Sequence, residues 1–512
     1  MPMIVTEQSP GDLLIMINWT KINRTVAFSA VLIFIFSACS QVPTYPESTS
    51  DTEIAESTLT EVTQPPESPL PDSPVFSRVE SIRVKGNEGV AENLYSNATG
   101  IHGGHESRIA RTENGTFAVY IINEHPDETY DFTWDEFAVI KLNEGTDEII
   151  FRDKYPHSFG SCAPNILRGS DGKLYVTVIA DDKTKYYSAN FAREGAWLRI
   201  YVIDPVTYDV KTYSHNPDFD VIWVHGYGYS QPILDEKAGK LYALFTGGDI
   251  PGYLAWFNFD LKKMEWESGC YTVQTHSRVA YFNAYPDGKG GFYFISERAV
   301  LASELGKYLG VTFEPSTGYI WDALYLGRVR DATVAQVELT PIREYPFVKG
   351  TTMTHPAAVH YGRGCSYLDK SGVLHLIYSF IYKEDHKVFY VRYDKDLNVI
   401  EERELEIENP KYTFAMAEGI CGDLYIIGSD NAEGSAKKNY AELDIWRSSD
   451  GGDSYLHIHH QRRIYEKSGK TVEWFYKLNA SSTRNGSITD GTVDLLFYNS
   501  DNLYFHFKIT LP

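Results

Sequence analysis

The sequence predicts an all-β protein, a seven-bladed β-propeller built from four-stranded antiparallel blades. A turn motif containing glycine recurs seven times, and each copy lies within the same pattern of four strand-like segments. The composition agrees, since 43% of the 512 residues are apolar and tyrosine occurs 37 times. Aromatic and β-branched residues favour strands, and large β domains often form single units.

The recurring unit is a glycine turn followed by an apolar, aromatic-rich strand. In the first unit the predicted strands are 109–111, 117–122, 137–142 and 149–152. Radial repetition of four antiparallel strands is typical of propeller blades. A count of eight blades stays open, because the stretch 298–345 is long enough to contain one more. The seven turn glycines are Gly115, Gly172, Gly239, Gly291, Gly372, Gly422 and Gly491.

The last unit supplies only three strands before the chain stops, at 476–478, 493–498 and 503–509. We expect the missing outer strand to come from 81–84, because pairing both termini in one blade closes the ring and protects sheet edges. One further pattern favours the fold. Ser448–Tyr455 resembles the Asp-box of sialidase-like (BNR) propellers, which lies between the third and fourth strands of a blade. Its aspartate is expected to cap the turn backbone.

The N-terminus resembles a bacterial lipoprotein signal. Lys21 and Arg24 precede an apolar run over 26–36, which is too short to span a bilayer as a helix. Ser37-Ala38-Cys39 resembles the lipobox, with Phe36 where that family usually has leucine. We expect residues 1–38 to be a lipoprotein signal peptide and Cys39 to be the lipid attachment site; ordinary signal cleavage is the alternative.

Residues 39–78 are rich in serine, threonine, proline and glutamate, a composition that cannot bury enough apolar surface to fold. They are predicted to be a disordered tether, and 79–512 to be the propeller. The chain is therefore expected to be a monomer in the bacterial cell envelope, lipid-anchored and facing the periplasm or the exterior. A net charge of −22 argues against a nucleic-acid partner. We expect no cofactor. A structural Ca²⁺ held by the oxygen ligands of aspartate-rich loops stays open, although no loop has a recognisable ligand spacing.

Polar side chains concentrate in the segments that precede the inner strands or join second to third strands, which share one face of a propeller. Imidazole titrates near neutrality, tyrosine can transfer protons, and arginine binds anions. The candidates for substrate binding are His102, His157, His225, Tyr227, Tyr229, His276, Arg278 and Arg363.

This set of residues resembles that of the seven-bladed polysaccharide lyases of the ulvan lyase type. The resemblance implies that His105 and His125 form the histidine pair of the first blade, and that Tyr187 transfers protons. It also implies that Arg193 or Arg199 binds the uronate carboxylate. The activity implied is β-elimination on a uronic-acid polysaccharide, in which His105 or Tyr187 removes the proton beside the carboxylate.

Two other functions stay open from the sequence. A glycoside hydrolase needs two carboxylates across the scissile bond; Glu106, Asp249, Glu418 and Glu473 are candidates, and Glu418, expected at the start of the sixth inner strand, is the best. A sialidase is disfavoured, because no Phe-Arg-Ile-Pro signature occurs near the start of the domain. A propeller that binds glycans without cleaving them is the non-enzymatic alternative, since tyrosine and tryptophan stack on sugar rings. Across these functions the expected partner is an anionic or neutral polysaccharide.

Overall fold

The computed structural model describes the part of the chain that forms the propeller, apart from several connecting segments. Residues 68–512 belong to one compact unit. The described residues are 73–77, 80–81, 84–85, 106–122, 134–143, 147–156, 164–181, 196–215, 230–248, 250–314, 318–353, 358–382, 385–407, 413–429, 442–461, 463–464, 476–498 and 504–512.

Seven antiparallel blades follow one another along the chain, each running from an inner to an outer strand. Blade one contains β4 (Ile109–Thr112), β5 (Gly115–Ile122), β6 (Trp134–Leu142) and β7 (Asp147–Pro156), after the short strands β1 (Val75–Phe76), β2 (Glu80–Ser81) and β3 (Val84–Lys85). Blade two contains β8 (Asn165–Arg168), β9 (Leu174–Asp181), β10 (Ala196–Ile203) and β11 (Val210–His215). Blade three contains β12 (Ser230–Asp235), β13 (Lys240–Gly248), β14 (Gly252–Asp260) and β15 (Glu265–Thr275).

Blade four contains β16 (Val279–Pro286), β17 (Phe292–Leu301), β19 (Tyr319–Val329) and β20 (Glu338–Glu344), with the helix α1 (Ala302–Leu309) and β18 (Thr312–Phe313) inserted before β19. After β21 (Thr352–Met353), blade five contains β22 (Ala358–Leu368), β23 (Leu374–Tyr382), β24 (Asp385–Tyr393) and β25 (Val399–Leu405). Blade six contains β26 (Thr413–Glu418), β27 (Leu424–Ser429), β28 (Leu443–Ser448) and β29 (Leu456–Gln461). Blade seven contains β30 (Tyr476–Ala480), β31 (Thr492–Tyr498) and β32 (Tyr504–Thr510).

The seven-bladed architecture is confirmed, and the eight-bladed alternative is wrong. The stretch 298–345 does not form a further blade, because β17, β19 and β20 pair in succession within blade four. Its extra length comes from α1 and from β18, which pairs with β21 in a separate two-stranded parallel sheet. The insertion therefore adds structure to one end of a single blade.

Glycine turns link the first two strands of the blades. In blade five the Asp369 amide donates to the Val373 carbonyl at 3.0 Å, and Gly372 adopts a φ of +86°, a conformation that glycine accommodates without strain. The equivalent amide of Gly419 in blade six donates to the Asp423 carbonyl at 2.8 Å. The turns of blades five and six therefore share the same backbone hydrogen bond.

Apolar side chains fill the seam between each pair of neighbouring blades. One cluster joins blades one and two around Phe137 and Val176, and another joins blades five and six around Tyr390 and Met416. Leu496 of blade seven packs with residues of blade one. Each of the seven seams has such a cluster, so the packing runs from blade to blade around a complete ring.

The segment before blade one contacts two blades. β1 and β2 pair antiparallel with β32, with Val75 opposite Thr510 and Ser81 opposite Phe505. β3 instead pairs parallel with β7, so Val84 lies on blade one and not beside Ser81 in blade seven. Since 78–79 and 82–83 lie outside the described residues, a continuous closing strand over 81–84 stays a prediction.

The Asp-box has the expected position, in the hairpin between β28 and β29. The Asp450 carboxylate accepts a hydrogen bond from the Ser454 amide at 3.0 Å, and the Gly452 amide donates to the Ser448 hydroxyl at 2.8 Å. Tyr455, the last residue of the box, meets the ring of Tyr390 in blade five edge to face. The box therefore stabilises its own turn and the neighbouring seam, a structural role.

A buried charged cluster joins the last blade to the first. Asp494 on β31 is fully buried, and it accepts hydrogen bonds from Arg111 of β4 at 2.9 Å and from the Thr116 hydroxyl at 2.9 Å. His506 lies 2.7 Å from its other oxygen. Burial alone would raise the pKa of Asp494, but the hydrogen bond with His506 and the charges of His506 and Arg111 hold it below its ordinary value.

Replacing Asp494 with asparagine is expected to lower the free energy of unfolding by about 2–4 kcal/mol at pH 7, because a buried ion pair is broken. A carboxylate with a lowered pKa stabilises the fold above its unfolded pKa of about 3.9, and this contribution is lost as the pH falls through the folded pKa. The difference in the free energy of unfolding between wild type and Asp494→Asn, measured by denaturant titration, should therefore be smaller at pH 3 than at pH 7.

Asp490→Asn is the matched control, because Asp490 pairs with the same Arg111 but is 39% exposed. Exposed ion pairs contribute about 0–1 kcal/mol. Equal losses in the two variants at pH 7, or a difference that does not change with pH, would contradict the role given to Asp494.

Candidate functional site

The antiparallel blades define two faces of the ring. We call the face where the inner strands begin and the second strands end the mouth face. We call the opposite face, which carries the glycine turns of the inner hairpins, the turn face. Blade four illustrates the arrangement, because His276 and Arg278 precede β16 at the mouth face and Gly291 precedes β17 at the turn face.

Most of the residues predicted for the site lie outside the described residues, and the side chain of Arg363, in β22, is not described either. The structure describes the strands on either side of the segments that hold these residues. β5 ends at Ile122, β9 ends at Asp181 and β12 begins at Ser230, all at the mouth face. The site assignments that stay predictions for this reason are His102, His105, His125, His157, Tyr187, Arg193, His225, Tyr227 and Tyr229, together with the lipid attachment at Cys39.

Arg199 lies on β10, the third strand of blade two. It forms an ion pair with Asp153 of β7 at 3.2 Å and donates to the Tyr201 hydroxyl at 3.2 Å. Tyr201 also donates to Asp153 at 2.8 Å. The guanidinium therefore joins the outer parts of blades one and two, at a distance of two strands from the inner strand.

His276 and Arg278 precede the same strand but differ in exposure. His276 is exposed at the mouth face, and its ring meets that of Tyr308 from α1 edge to face, with 4.3 Å between the centroids. Arg278 is buried; its Nε donates to the Ala299 carbonyl at 2.7 Å, and its guanidinium lies 4.9 Å from the ring centroid of Tyr319. The structure thus presents His276 to solvent and holds Arg278 inside blade four.

Polar side chains connect neighbouring inner strands. The Ser107 amide donates to the Asn165 side chain at 2.8 Å, and Asn165 in turn donates to the Ser230 carbonyl at 3.2 Å, so blades one, two and three are joined in series. The amide of Arg108 donates to the Asn479 side chain at 3.2 Å across the seam between blades one and seven.

The same pattern continues on the other side of the channel. Gln231 accepts a hydrogen bond from the Ala284 amide at 2.9 Å, and the hydroxyls of Tyr285 and Ser366 lie 2.7 Å apart. Because buried polar groups that are hydrogen-bonded rigidify their surroundings, these contacts fix neighbouring inner strands relative to one another. The scaffold beneath the mouth is preorganised.

The inner turn of blade seven enters the channel. Residues 481–491 form this turn, which is longer than the inner turn of any other blade, and include a 3-10 helix over Thr483–Asn485. Asn485 is buried and donates to the Ile109 carbonyl, while the Ile488 amide donates to the Arg111 carbonyl at 3.1 Å. The 3-10 helix also contacts β8 and β22, which belong to blades two and five. We call residues 481–491 the plug.

The plug packs tightly against its surroundings. Gly486 has a φ of +72°, and a Cβ atom at that position would lie only 1.9 Å from the Arg168 carbonyl oxygen. Arg168 also donates to the Gly486 carbonyl at 3.4 Å. Only glycine fits both the conformation and the space. The plug therefore occupies the channel on the side of the turn face.

Arg484 extends from the plug towards the mouth face. Its Nη2 donates to the carbonyl of Glu106, which precedes β4, at 2.9 Å. Its charge also lowers the pKa of two residues on the inner strands of blades four and five, Tyr285 and Cys365. Burial raises the pKa of Tyr285 to about 12 and raises the pKa of Cys365, and in each case the Arg484 charge acts in the opposite direction.

Sequence reasoning missed Arg484 and Tyr308. The unusual length of the seventh inner turn was a signal for the first. The long stretch 298–345 in blade four was a signal for the second, although its length alone is equally compatible with an eighth blade. Both residues lie where the fold directs them to the mouth face, Arg484 by its contact with Glu106 and Tyr308 by its contact with His276.

The position expected for Glu418 is wrong. Glu418 is the last residue of β26 and not the first, so it lies at the turn face. It is buried, and it accepts hydrogen bonds from the Tyr367 hydroxyl and the Lys370 amide at 3.4 and 3.3 Å. The best carboxylate candidate for a hydrolase is therefore at the opposite end of the strand from the mouth.

No group of three or more histidine, cysteine, aspartate or glutamate side chains among the described residues is arranged to bind a metal ion. In the same part of the chain, no helix has the length and apolar character required to cross a membrane.

Comparison with known proteins identifies no family for the chain. No protein-family model and no curated protein matches the chain. Among solved structures, the polysaccharide lyase Uly1 is similar with a TM-score of 0.47 and 10% identity, over 86% of this chain and 99% of that one. The β-propeller domain of the Trilobed protease from Pyrococcus furiosus has a TM-score of 0.38 and 12% identity, over 79% and 95%. A NanB sialidase from Streptococcus pneumoniae has a TM-score of 0.36 and 11% identity, over 81% and 70%.

Proposed function

We propose that the protein is an exported, lipid-anchored propeller that binds a uronic-acid-containing polysaccharide at the mouth face and cleaves it by β-elimination. The observation that carries the proposal is the convergence of the inner strands on one opening that has the Arg484 guanidinium below it. The segments holding the predicted histidines and tyrosines connect strand ends at that same opening.

The position of Arg484 favours an anionic substrate. The protein as a whole has a net charge of −22, so a polyanion would be repelled unless positive charge were concentrated locally. A cation inside a cavity with low-dielectric walls is screened less than a cation on the surface, and it attracts anions into the cavity. Among the described residues, Arg484 supplies such a positive charge at the channel. His102, His157 and His225 are proposed to add positive charge at the rim of the opening.

The proposed reaction is a proton transfer coupled to bond cleavage. The carboxylate of the uronate is neutralised by a cation, which acidifies the proton on the adjacent ring carbon. Tyr187 or His105 removes that proton, and its electron pair forms a carbon–carbon double bond as the glycosidic C–O bond breaks. An acid, which we assign to the pair His105 and His125, gives a proton to the departing oxygen. Hydrogen bonds aimed at the developing enolate stabilise the transition state.

Of the two arginines proposed to bind the carboxylate, we favour Arg193. Arg199 already pairs with Asp153 and Tyr201 at the seam between blades one and two. Using it for substrate would leave Asp153 without this partner and would cost part of the packing of that seam. Arg193 belongs to the segment between β9 and β10, which begins and ends at the mouth face.

Replacing His105 with alanine or Tyr187 with phenylalanine is expected to lower the rate of elimination by about 10²–10⁴-fold, the usual contribution of a general acid or base. The measurement is the ultraviolet absorbance of the unsaturated uronate, with a panel of uronic-acid polysaccharides as substrates. His457→Asn, on the outer strand β29, is the control and should keep the wild-type rate.

Three results would count against the lyase. Saturated products would indicate hydrolysis, binding without turnover would indicate a glycan-binding propeller, and full activity in both variants would remove the catalytic assignments. Circular dichroism and thermal unfolding verify that each variant is folded.

Replacing Arg484 with glutamine is expected to weaken binding of a polyuronate by about 10- to 150-fold, since a charge-assisted hydrogen bond to a carboxylate contributes roughly 1.5–3 kcal/mol. Binding measured by affinity electrophoresis should also become less sensitive to salt, while binding of a neutral polysaccharide should not change.

Arg330→Gln is the control, because Arg330 lies next to the β19–β20 turn at the turn face and is 62% exposed. Equal losses of affinity in the two arginine variants, or equal losses for charged and neutral polysaccharides, would contradict a specific role for Arg484 in the channel.

A further inference from the structure

Blade four carries the helix α1 at the mouth face, between its second and third strands, and α1 is the only α-helix among the residues that the structure describes. The helix has its own apolar base. Leu305 and Ala302 are buried and pack with Val300 of β17 and Ile320 of β19. Because these four side chains are almost completely buried, α1 is packed firmly against the blade.

The C-terminal end of α1 is equally defined. Gly310 follows the helix with a φ of +67°, and its amide donates to the Gly306 carbonyl, a common way to end a helix. At Gly306 a Cβ atom would lie 2.6 Å from the Val311 carbonyl oxygen, so the chain turns back closely here. The last turn of the helix, which contains Tyr308, is therefore held in place from both sides.

Tyr308 is 50% exposed although it is a large aromatic residue, and it lies against His276 with 4.3 Å between the ring centroids. His276 is exposed as well and lies three residues before the inner strand β16. The two rings leave apolar surface uncovered on a rigid support, whereas fully packed aromatic side chains bury much larger areas. We call Tyr308 and His276 the aromatic shelf.

We propose that the aromatic shelf is a sugar-binding subsite, in which the phenol ring of Tyr308 stacks on the apolar face of a pyranose unit beside the one at the channel. His276 orients the phenol and donates or accepts a hydrogen bond with a sugar hydroxyl. This inference rests on the proposed function, since it places one polysaccharide chain at the mouth face. It adds that the site holds more than one sugar unit.

The plug supports this arrangement of the chain. Because residues 481–491 occupy the channel on the side of the turn face, a polysaccharide cannot pass through the ring. A chain whose reacting unit lies at the channel must therefore continue across the mouth face. The aromatic shelf lies beside the start of β16 and offers a surface for a neighbouring unit.

The test compares Tyr308→Ala with Tyr308→Phe and Tyr308→Trp, using affinity electrophoresis and steady-state kinetics on the full-length protein. Tyr308→Ala should weaken polysaccharide binding about three- to tenfold and raise KM with little change in kcat, because stacking away from the reacting bond binds substrate and transition state alike. Phenylalanine and tryptophan keep the ring and should retain most of the affinity. Lys307→Ala is the control from the same turn, as Lys307 pairs only with Glu304 of α1 among the described residues and is 73% exposed.

The length of the substrate gives a second readout. The penalty of Tyr308→Ala should be present for the polymer and absent for the shortest oligosaccharide that is cleaved, which does not reach the shelf. Unchanged binding of polymer by Tyr308→Ala would overturn the subsite, and so would an equal loss in Lys307→Ala. If the wild type binds polysaccharide without cleaving it and the ring is still required, the subsite stands while the lyase activity fails.

Discussion

The structure depends on the contact between its last blade and its first, where Asp494 is held by Arg111, Thr116 and His506. The other six seams join blades that are neighbours in sequence, whereas this one joins residues almost four hundred positions apart. Closing such a long loop has a large entropic cost, which the contacts at that seam must offset. A buried carboxylate with several hydrogen-bond partners also demands a specific geometry, so it selects one way of joining the two blades.

The packing of blades side by side and the closure of the ring bring together the parts of the candidate site. Ser107, Asn165 and Ser230 come from three blades, and each hydrogen bond between them exists only because the blades are packed side by side. The plug belongs to blade seven but rests on blades one and two through Asn485, Ile488 and Gly486. Arg484 therefore reaches the channel only in the closed ring. The same contacts that complete the fold bring a cation below the opening.

The sequence was sufficient to predict the fold because a recognisable turn, which contains glycine, recurs in each blade. A glycine at positive φ, followed by an apolar strand, recurs often enough to count the blades, as at Gly372 and Gly422. The end of a strand at which a residue lies, and the sheet edge with which a short segment pairs, are harder to predict. Glu418 ends its strand and does not begin it, and Gly422, which follows it by four residues, already indicates the turn face. Val84 pairs with β7 and not with the last blade, because a short segment between two edges can pair with either, and its composition does not decide which.

The site was less predictable than the fold, for a physical reason. Histidines and tyrosines near strand ends can be located from the repeat, but Arg484 is an ordinary residue of a polar turn until the turn is known to enter the channel. Tyr308 is likewise one of 37 tyrosines, and only the packing of α1 separates it from those that fill the blades. Insertions that depart from the repeat are therefore the most informative positions in this chain. The inner turns and the seams between blades are enough to form the ring. The helix α1 of blade four and the length of the plug are additions to that repeat, and they place Tyr308 and Arg484 at the mouth face.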